Sequence, residues 1–448
     1  MTDNETYCRS ISAEFAGLSM FSALKKHPLI GAFIKTLSLK DKDNPFAPVT
    51  APLPAWANFT AVFAGCSDGE SFSRVLYRLA LADVNAFTLA AERGVLDISS
   101  FIWKIAVNDL AALSRAAAFD FKRLSGFFSE ILQHAGAAAA AARIEAEADF
   151  LAGLCRSEDS WTAESFAAFI RENGAGDLAC HNLFYILDGE LRPAANGDPI
   201  RLSDLSGYEE ERHLVVSNTL RFLSANAANS PMAKLPAANN ILLYGDRGCG
   251  KSATVKAVCN EYAGHGLRLV ELRKTELASL PAVMKLLSQR GLRFILFIDD
   301  LSFESDDNDF MMLKAMLEGG IETKPSNVVI YATSNRRHLV KEPLADRPSS
   351  LGDVRAFDTM QEQLSLADRF GLTVIFSAPS QDEYLRIAEF IARKYGVLPE
   401  NAESARLQQF RDNAVRWERW FNGRSPRTAA QFVEWLAAAE DFPWDVIQ

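Results

Sequence analysis

Over residues 10–180 apolar side chains recur three and four positions apart with charges between them, as in SRVLYRLALADVNAFTLAAERG (73–94) and AARIEAEADFLAGLCRS (141–157). That spacing gathers the apolar set on one face of a 3.6-residue helix, so the stretch reads as helix after helix. NPFAPVTAPLPAW (44–56) breaks the series with prolines. The alanine tract at 135–142 runs into Arg143, Glu145 and Glu147. Alanine is the best helix former, so the tract reads as a water-exposed helix and not a membrane span.

The texture changes at 181–200, where HNLFYILDGELRPAANGDPIRL (181–202) mixes short apolar runs with turn residues, the pattern of a small hairpin or linker. An amphipathic helix follows in LSGYEEERHLVVSNTLRFL (205–223). From there short apolar runs alternate with helical patterns. ILLYG (241–245), LRLVEL (267–272), RFILFID (293–299), NVVIYATS (327–334) and LTVIFS (372–377) read as strands. SATVKAVCNEYA (252–263), with Gly264 as its cap, LPAVMKLLSQRG (280–291) and FMMLKAMLEGG (310–320) read as the helices between them. Such alternation predicts a parallel sheet covered on both faces. Beyond 380 the chain is helical again, in QDEYLRIAEFIARKYG (381–396) and SPRTAAQFVEWLAAAE (425–440). The expected domains are a helical 1–180, a hairpin or linker at 181–200, an α/β domain at 201–378 and a helical lid at 379–448.

A length of 448 residues suits two or three domains, and 48% apolar with 23% charged residues is a folded composition. Thirty phenylalanines point to aromatic packing. The net charge of −10, with neither half basic overall, argues against a broad nucleic-acid platform. Cys8, Cys66, Cys155, Cys180, Cys249 and Cys259 are scattered without metal-ligand spacing, as in a reduced cytoplasmic protein. MTDNETYCRSISAEF at the start lacks the basic and apolar segments of a secretory leader. His27, His134 and His181 are far apart and read as structural.

GDRGCGKS (245–252) has the spacing G-x-x-x-x-G-K-S, placed between a predicted strand and a predicted helix. Glycines let consecutive N–H groups wrap a phosphate, lysine neutralises the β- and γ-phosphates, and serine ligates Mg²⁺ at a helix N-terminus. Gly245, Asp246, Arg247, Gly248, Cys249, Gly250, Lys251, Ser252 and Ala253 are therefore the candidate nucleotide ligands. Cys249 reads as a small filler; beside a helix N-terminus its thiol is expected to be acidic.

RFILFIDDLSFE (293–304) carries acids at the tip of a buried strand. Parallel sheets bind ligands at the carboxyl ends of their strands, where a metal-bound nucleotide offsets the cost of the charge. Asp299 is the expected Mg²⁺ ligand, with Ser252. Asp300, or Glu304 if the loop folds back, is the candidate to orient the attacking water.

Together with VVIYATSNRRHL (328–339) and LADRFGL (366–372), these segments resemble AAA+ ATPases over roughly 200–448, in particular an uncharacterised bacterial set catalogued as a domain of unknown function. The resemblance implies a five-stranded parallel sheet, a helical lid, ATP and Mg²⁺ as ligands, and a homo-oligomer, usually a ring, of which a hexamer is one form. Asn335 resembles the polar sensor near the γ-phosphate, with Thr333 and Ser334 as alternatives. Arg369 in SLADRFGL resembles the arginine finger that reaches a neighbouring subunit's nucleotide, with Arg336, Arg337 and Arg347 as rivals. In GRSPRTAAQFV (423–433), Ser425 suits an N-cap and Pro426 the first helical position. Arg427 there resembles the lid's phosphate sensor, with Arg424 as the alternative. Most members carry Asp-Glu where this chain has Asp-Asp, which favours a slow switch over a fast motor.

The function expected is ATP hydrolysis that remodels or loads a macromolecular partner, protein or nucleic acid, away from any membrane. The alternatives are a nucleotide-dependent scaffold with little hydrolysis, or a nucleic-acid loader. LRKTELASLPAV (272–283) has no aromatic-glycine pore motif, which counts against a polypeptide-threading unfoldase.

Overall fold

The computed structural model describes residues 3–37, 52–134, 138–154, 161–224, 238–301, 313, 317, 325–335, 368–421 and 423–438. The chain divides into two compact units. One comprises residues 1–180 with 290–292, the other 181–289 with 293–448.

The first unit is helical in its described residues, from Asp3–Gly17 to Asp177–Cys180. Its phenylalanines account for the core: Phe33 packs against Phe72 at 4.7 Å and edge-on to Phe119 at 5.1 Å between centroids. Burying each such ring stabilises the unit by about 2–3 kcal/mol. Two buried carboxylates, Asp109 and Glu92, each gather several donors. Asp109 accepts from the amides of Ser19, Met20 and Phe21, and Glu92 holds the Arg290 guanidinium and the Ala175 and Gly291 amides.

The second unit is built on a sheet of seven strands, not five. They are β1 (Leu183–Leu187), β2 (Glu190–Pro193), β3 (Ile241–Gly245), β4 (Leu267–Glu271), β5 (Arg293–Ile298), β6 (Val328–Asn335) and β7 (Leu372–Phe376), in the order β2-β1-β4-β5-β6-β3-β7. The two extra strands come from the 181–200 segment. Asp188 and Gly189 both take positive φ (53° and 75°), which turns β1 back into antiparallel β2, and β1 then pairs in parallel with β4. Every other pairing is parallel.

β5 is buried along its whole length because both faces are covered. Ile295 and Phe297 pack with Val215 and Phe222 of the helix Glu209–Ser224 and with Val255 and Val258 of the helix Lys251–Tyr262. After that second helix the chain adds a 3₁₀ turn, Ala263–His265, so the left-handed cap falls on Gly266 (φ 77°) and not on Gly264. The expected helix 310–320 lies outside the described residues apart from 313 and 317. Three helices, Gln381–Lys394, Ser404–Trp420 and Pro426–Ala438, close over a core of their own around Tyr384, Phe410 and Phe432. Ser425 caps the last of them by accepting from the Thr428 amide at 3.1 Å.

Register decides what meets at the carboxyl edge. Gly245 of β3 lies between Asn335 of β6 and Phe376 of β7, and Ile298 of β5 lies beside Ala332 of β6. The residues just past these positions line one cleft.

Candidate functional site

Gly245 (φ 143°) starts the loop at a point where a Cβ would come within 2.0 Å of the Phe376 carbonyl oxygen, so only glycine fits. The Asp246 amide donates to that carbonyl at 3.0 Å, and the Asp246 carboxylate accepts from the Ala378 amide at 2.8 Å. Gly250 (φ 85°) is the left-handed N-cap of Lys251–Tyr262. The loop thus ends with free helix N–H groups and a positive dipole end facing the cleft.

Lys251 is 7% exposed. Its ammonium donates to the carbonyls of Gly245 (3.0 Å) and Asp246 (2.7 Å) and to the side-chain oxygen of Asn335 (3.2 Å). All three donors are therefore occupied. Burial lowers its pKa, against an opposing pull from Cys249, Asp246, Asp300 and Asp299.

The acids stand across the cleft from the lysine. Ser252 donates to Asp299 Oδ1 at 2.6 Å, and the Thr333 hydroxyl donates to the same oxygen at 2.5 Å. Asp300 has a left-handed backbone (φ 54°), and its carboxylate accepts from the Asn335 amide. Asn335 therefore links Lys251 to Asp300.

The third wall comes from the lid. The Arg427 amide donates to the Gly248 carbonyl at 3.2 Å, and a Cβ on Gly248 (φ 79°) would sit 2.9 Å from Ser425 Oγ and 3.0 Å from Arg427 Cβ. Arg427 is one of the residues that line the cleft. Arg424, its alternative in the sequence, is held by Glu418 at 2.6 Å.

The cleft has a volume of about 770 Å³, within the range of small-molecule sites. Its far end, made by Pro199, Ile200, Asp204 and Leu205 with Ile391, Lys394 and Tyr395 of the lid, was not among the sequence candidates. Lys394 bonds Asp204 across it at 2.8 Å, and this hydrogen bond, with that from the Arg201 amide, holds the Asp204 carboxyl below its ordinary pKa. Turn residues and scattered apolar positions in GDPIRLSDLSGY (197–208) give no clear element there.

Of the sequence candidates, Arg247, Gly248, Gly250, Lys251, Ser252, Ala253, Asp299, Asp300, Asn335 and Arg427 line this cleft together. Arg369 does not join them. It sits in the turn Asp368–Phe370 ahead of β7, and β7 begins beside the first residue of β3, at the opposite edge of the sheet. Glu304, Arg336, Arg337 and Arg347 lie outside the described residues. Cys249 departs from its expected acidity. Its thiol is buried at 1% exposure, lies 3.8 Å from the Ser377 carbonyl, and burial pushes its pKa up. Facing inward, it gains little from the helix N-terminus.

Among the described residues no three His, Cys, Asp or Glu side chains are placed to hold a metal by themselves, and no helix is long and apolar enough to cross a membrane. None of the curated proteins compared with this chain matches it. Residues 180–440 match the model of a family described as protein of unknown function (DUF815), and since the match spans more than half of the chain, the protein belongs to that family.

Proposed function

We propose that this protein is an ATPase of the AAA+ type that binds ATP with Mg²⁺ in the cleft and uses the cycle to remodel or load a macromolecular partner. One observation carries the reading: phosphate-binding and water-activating groups that are far apart in sequence converge on one cleft, with Lys251 and Ser252 on one side, Asp299, Asp300 and Asn335 on the other, and Arg427 from the lid. The mostly parallel sheet, with the loop strand β3 between β6 and β7, is compatible with a phosphate-loop fold.

The donor set suits the ligands. Loop N–H groups, the Lys251 ammonium and the Arg427 guanidinium are cationic or hydrogen-bonding partners for a triphosphate. Ser252 and Asp299 are hard oxygen donors already within 2.6 Å of each other, and two protein ligands are what Mg²⁺ takes when phosphate and water supply the rest. Bound there, the ion supplies charge neutralisation to the phosphates.

Asp300 polarises the attacking water. The water oxygen bonds to the γ-phosphorus as the bond from that phosphorus to the bridging oxygen breaks, and the water proton leaves by way of the Asp300 carboxylate to solvent. ADP and inorganic phosphate are the products. Lys251 and Arg427 hold the phosphate oxygens, and Asn335 orients the Asp300 carboxylate. Arg369 of a neighbouring subunit would complete the site in a homo-oligomer, as the resemblance of SLADRFGL implies, and its place at the far edge of the sheet from its own cleft is compatible with that role.

A second reading, a nucleotide-dependent scaffold that hydrolyses little, has one observation in its favour. The Asp300 carboxylate is short and already bonded to Asn335, so a water must compete for it. Phosphate release measured alongside nucleotide binding separates the two. Turnover that collapses in Lys251→Ala and Asp300→Asn supports the ATPase; binding without turnover in the unaltered protein supports the scaffold. Stimulation of turnover by DNA in a salt-sensitive manner would favour a nucleic-acid loader.

A further inference from the structure

Thr333 does three things at once at the meeting of β5 and β6. Its hydroxyl donates to Asp299 Oδ1 at 2.5 Å and accepts from the Asp300 amide at 2.9 Å, and its carbonyl accepts from the Leu301 amide at 2.7 Å. Ser334 adds a bond from its hydroxyl to the Leu301 carbonyl at 2.7 Å. The peptide groups on both sides of the Asp300 α-carbon are therefore tied to β6. Between those ties Asp300 adopts φ 54°, a conformation that a residue with a side chain rarely takes. A local conformation of that kind persists only where its surroundings over-determine it.

We propose that Thr333 is a positioning residue for both acids: it fixes the Asp299 carboxylate through one oxygen and holds the left-handed turn that presents Asp300 to the cleft. The inference rests on the nucleotide reading of the cleft for its consequence in turnover, but not for its geometry. Thr333 is 2% exposed, and its hydroxyl is used in both directions, one bond donated and one accepted. The bond donated to Oδ1 and the one from Ser252 converge on a single oxygen of Asp299, a residue that lines the cleft. With the turn intact, the Asp300 carboxylate meets the Asn335 amide; with the turn relaxed to negative φ, the side chain swings away from β6.

The chemistry of the substitution is simple. Thr333→Val keeps the shape and removes both hydroxyl bonds, whereas Thr333→Ser keeps the hydroxyl. In the valine variant kcat for phosphate release falls by about 10²-fold, the scale of an ångström-sized misplacement, while nucleotide affinity changes by less than about threefold because the phosphate loop is untouched. Thr333→Ser restores the rate to within about fivefold, since the hydroxyl and not the methyl carries the effect.

A second arm does not need turnover. Thermal unfolding of the full chain is measured for Thr333→Val, Asp300→Gly and the double variant. Glycine takes φ 54° without strain, so bracing matters less there, and Thr333→Val lowers Tm by about 2 °C less in the Asp300→Gly background than alone. Additive Tm effects overturn the proposal. So does a valine variant that hydrolyses at the unaltered rate, or a serine variant that is as slow as the valine one. If the unaltered protein turns over no nucleotide, the ATPase reading fails, and the unfolding cycle alone decides on Thr333.

Discussion

The Lys251 ammonium donates a 3.2 Å hydrogen bond to the side-chain oxygen of Asn335, whose amide donates to Asp300. With its other two donors on Gly245 and Asp246, the lysine has no spare N–H for a phosphate. The Asn335 contact is the longest of the three, so it is the one a phosphate oxygen displaces. Asn335→Ala removes the competing acceptor and the amide on Asp300 together. Nucleotide affinity is expected to hold or rise up to about fivefold while turnover falls at least about tenfold, read by fluorescent-nucleotide titration and phosphate release.

Burial of Lys251 has opposite consequences for folding and for binding. The folded protein disfavours the ammonium, so its folded pKa lies below the unfolded value of about 10.4. This group therefore makes stability rise with pH between the depressed pKa and the ordinary one. Affinity for a triphosphate needs the cation and falls over the same interval. Urea unfolding and nucleotide titration across the alkaline range check both signs, with Lys251→Arg as the control that keeps its charge.

Gly245→Ala places a methyl group against the Phe376 carbonyl, an atom of backbone with no room to give. The expected loss is about 3 kcal/mol or more in the stability of the second unit, measured by denaturant unfolding. An alanine variant as stable as the unaltered chain would show that β3 and β7 are not packed as described.

Lys394 and Asp204 close the far end of the cleft with an ion pair whose side chains are 38% and 30% exposed. A pair that wet is worth at most about 1 kcal/mol, so Lys394→Ala should speed nucleotide release by no more than about fivefold. Raising the salt concentration should do the same to the unaltered protein, and exchanging the two charges should restore slow release. Stopped-flow displacement of a fluorescent nucleotide measures all three.

Arg369 lies at the opposite edge of the sheet from its own chain's cleft. If it serves a neighbouring subunit, Arg369→Ala and Lys251→Ala chains, each inactive alone, recover part of the activity when mixed. The proposal predicts that light scattering shows ATP-dependent assembly. Mixtures that stay dead, together with a chain that is monomeric in ATP, would remove Arg369 from the mechanism.

Local pattern made much of this architecture legible. The spacing of Gly245, Gly250, Lys251 and Ser252 located the loop, and the apolar run of β5 ending in Asp299 located the acids opposite it. Long-range choices were not legible. The 183–193 hairpin was readable as a hairpin, but nothing in its own residues encodes pairing with Leu269 and Val270 of β4. Lys394 and Asp204 are separated by 190 positions and meet only because the lid folds back. Position alone made Cys249 look acidic, yet the direction of its side chain, inward beneath the loop, decides its chemistry. The left-handed turn at Asp300 belongs to the same class, since it exists through Thr333 on another strand.

The helix Pro426–Ala438 grips the Gly245–Ser252 loop through backbone: the Arg427 amide on the Gly248 carbonyl, with no side chain between them. A joint of that kind behaves like a hinge pin. Side-chain exchanges around it leave it in place, and a Cβ on Gly248 jams it. Any pivot of this helix about that bond would tilt the peptide plane of Gly248 with it, which would make helix angle and loop shape one mechanical coordinate.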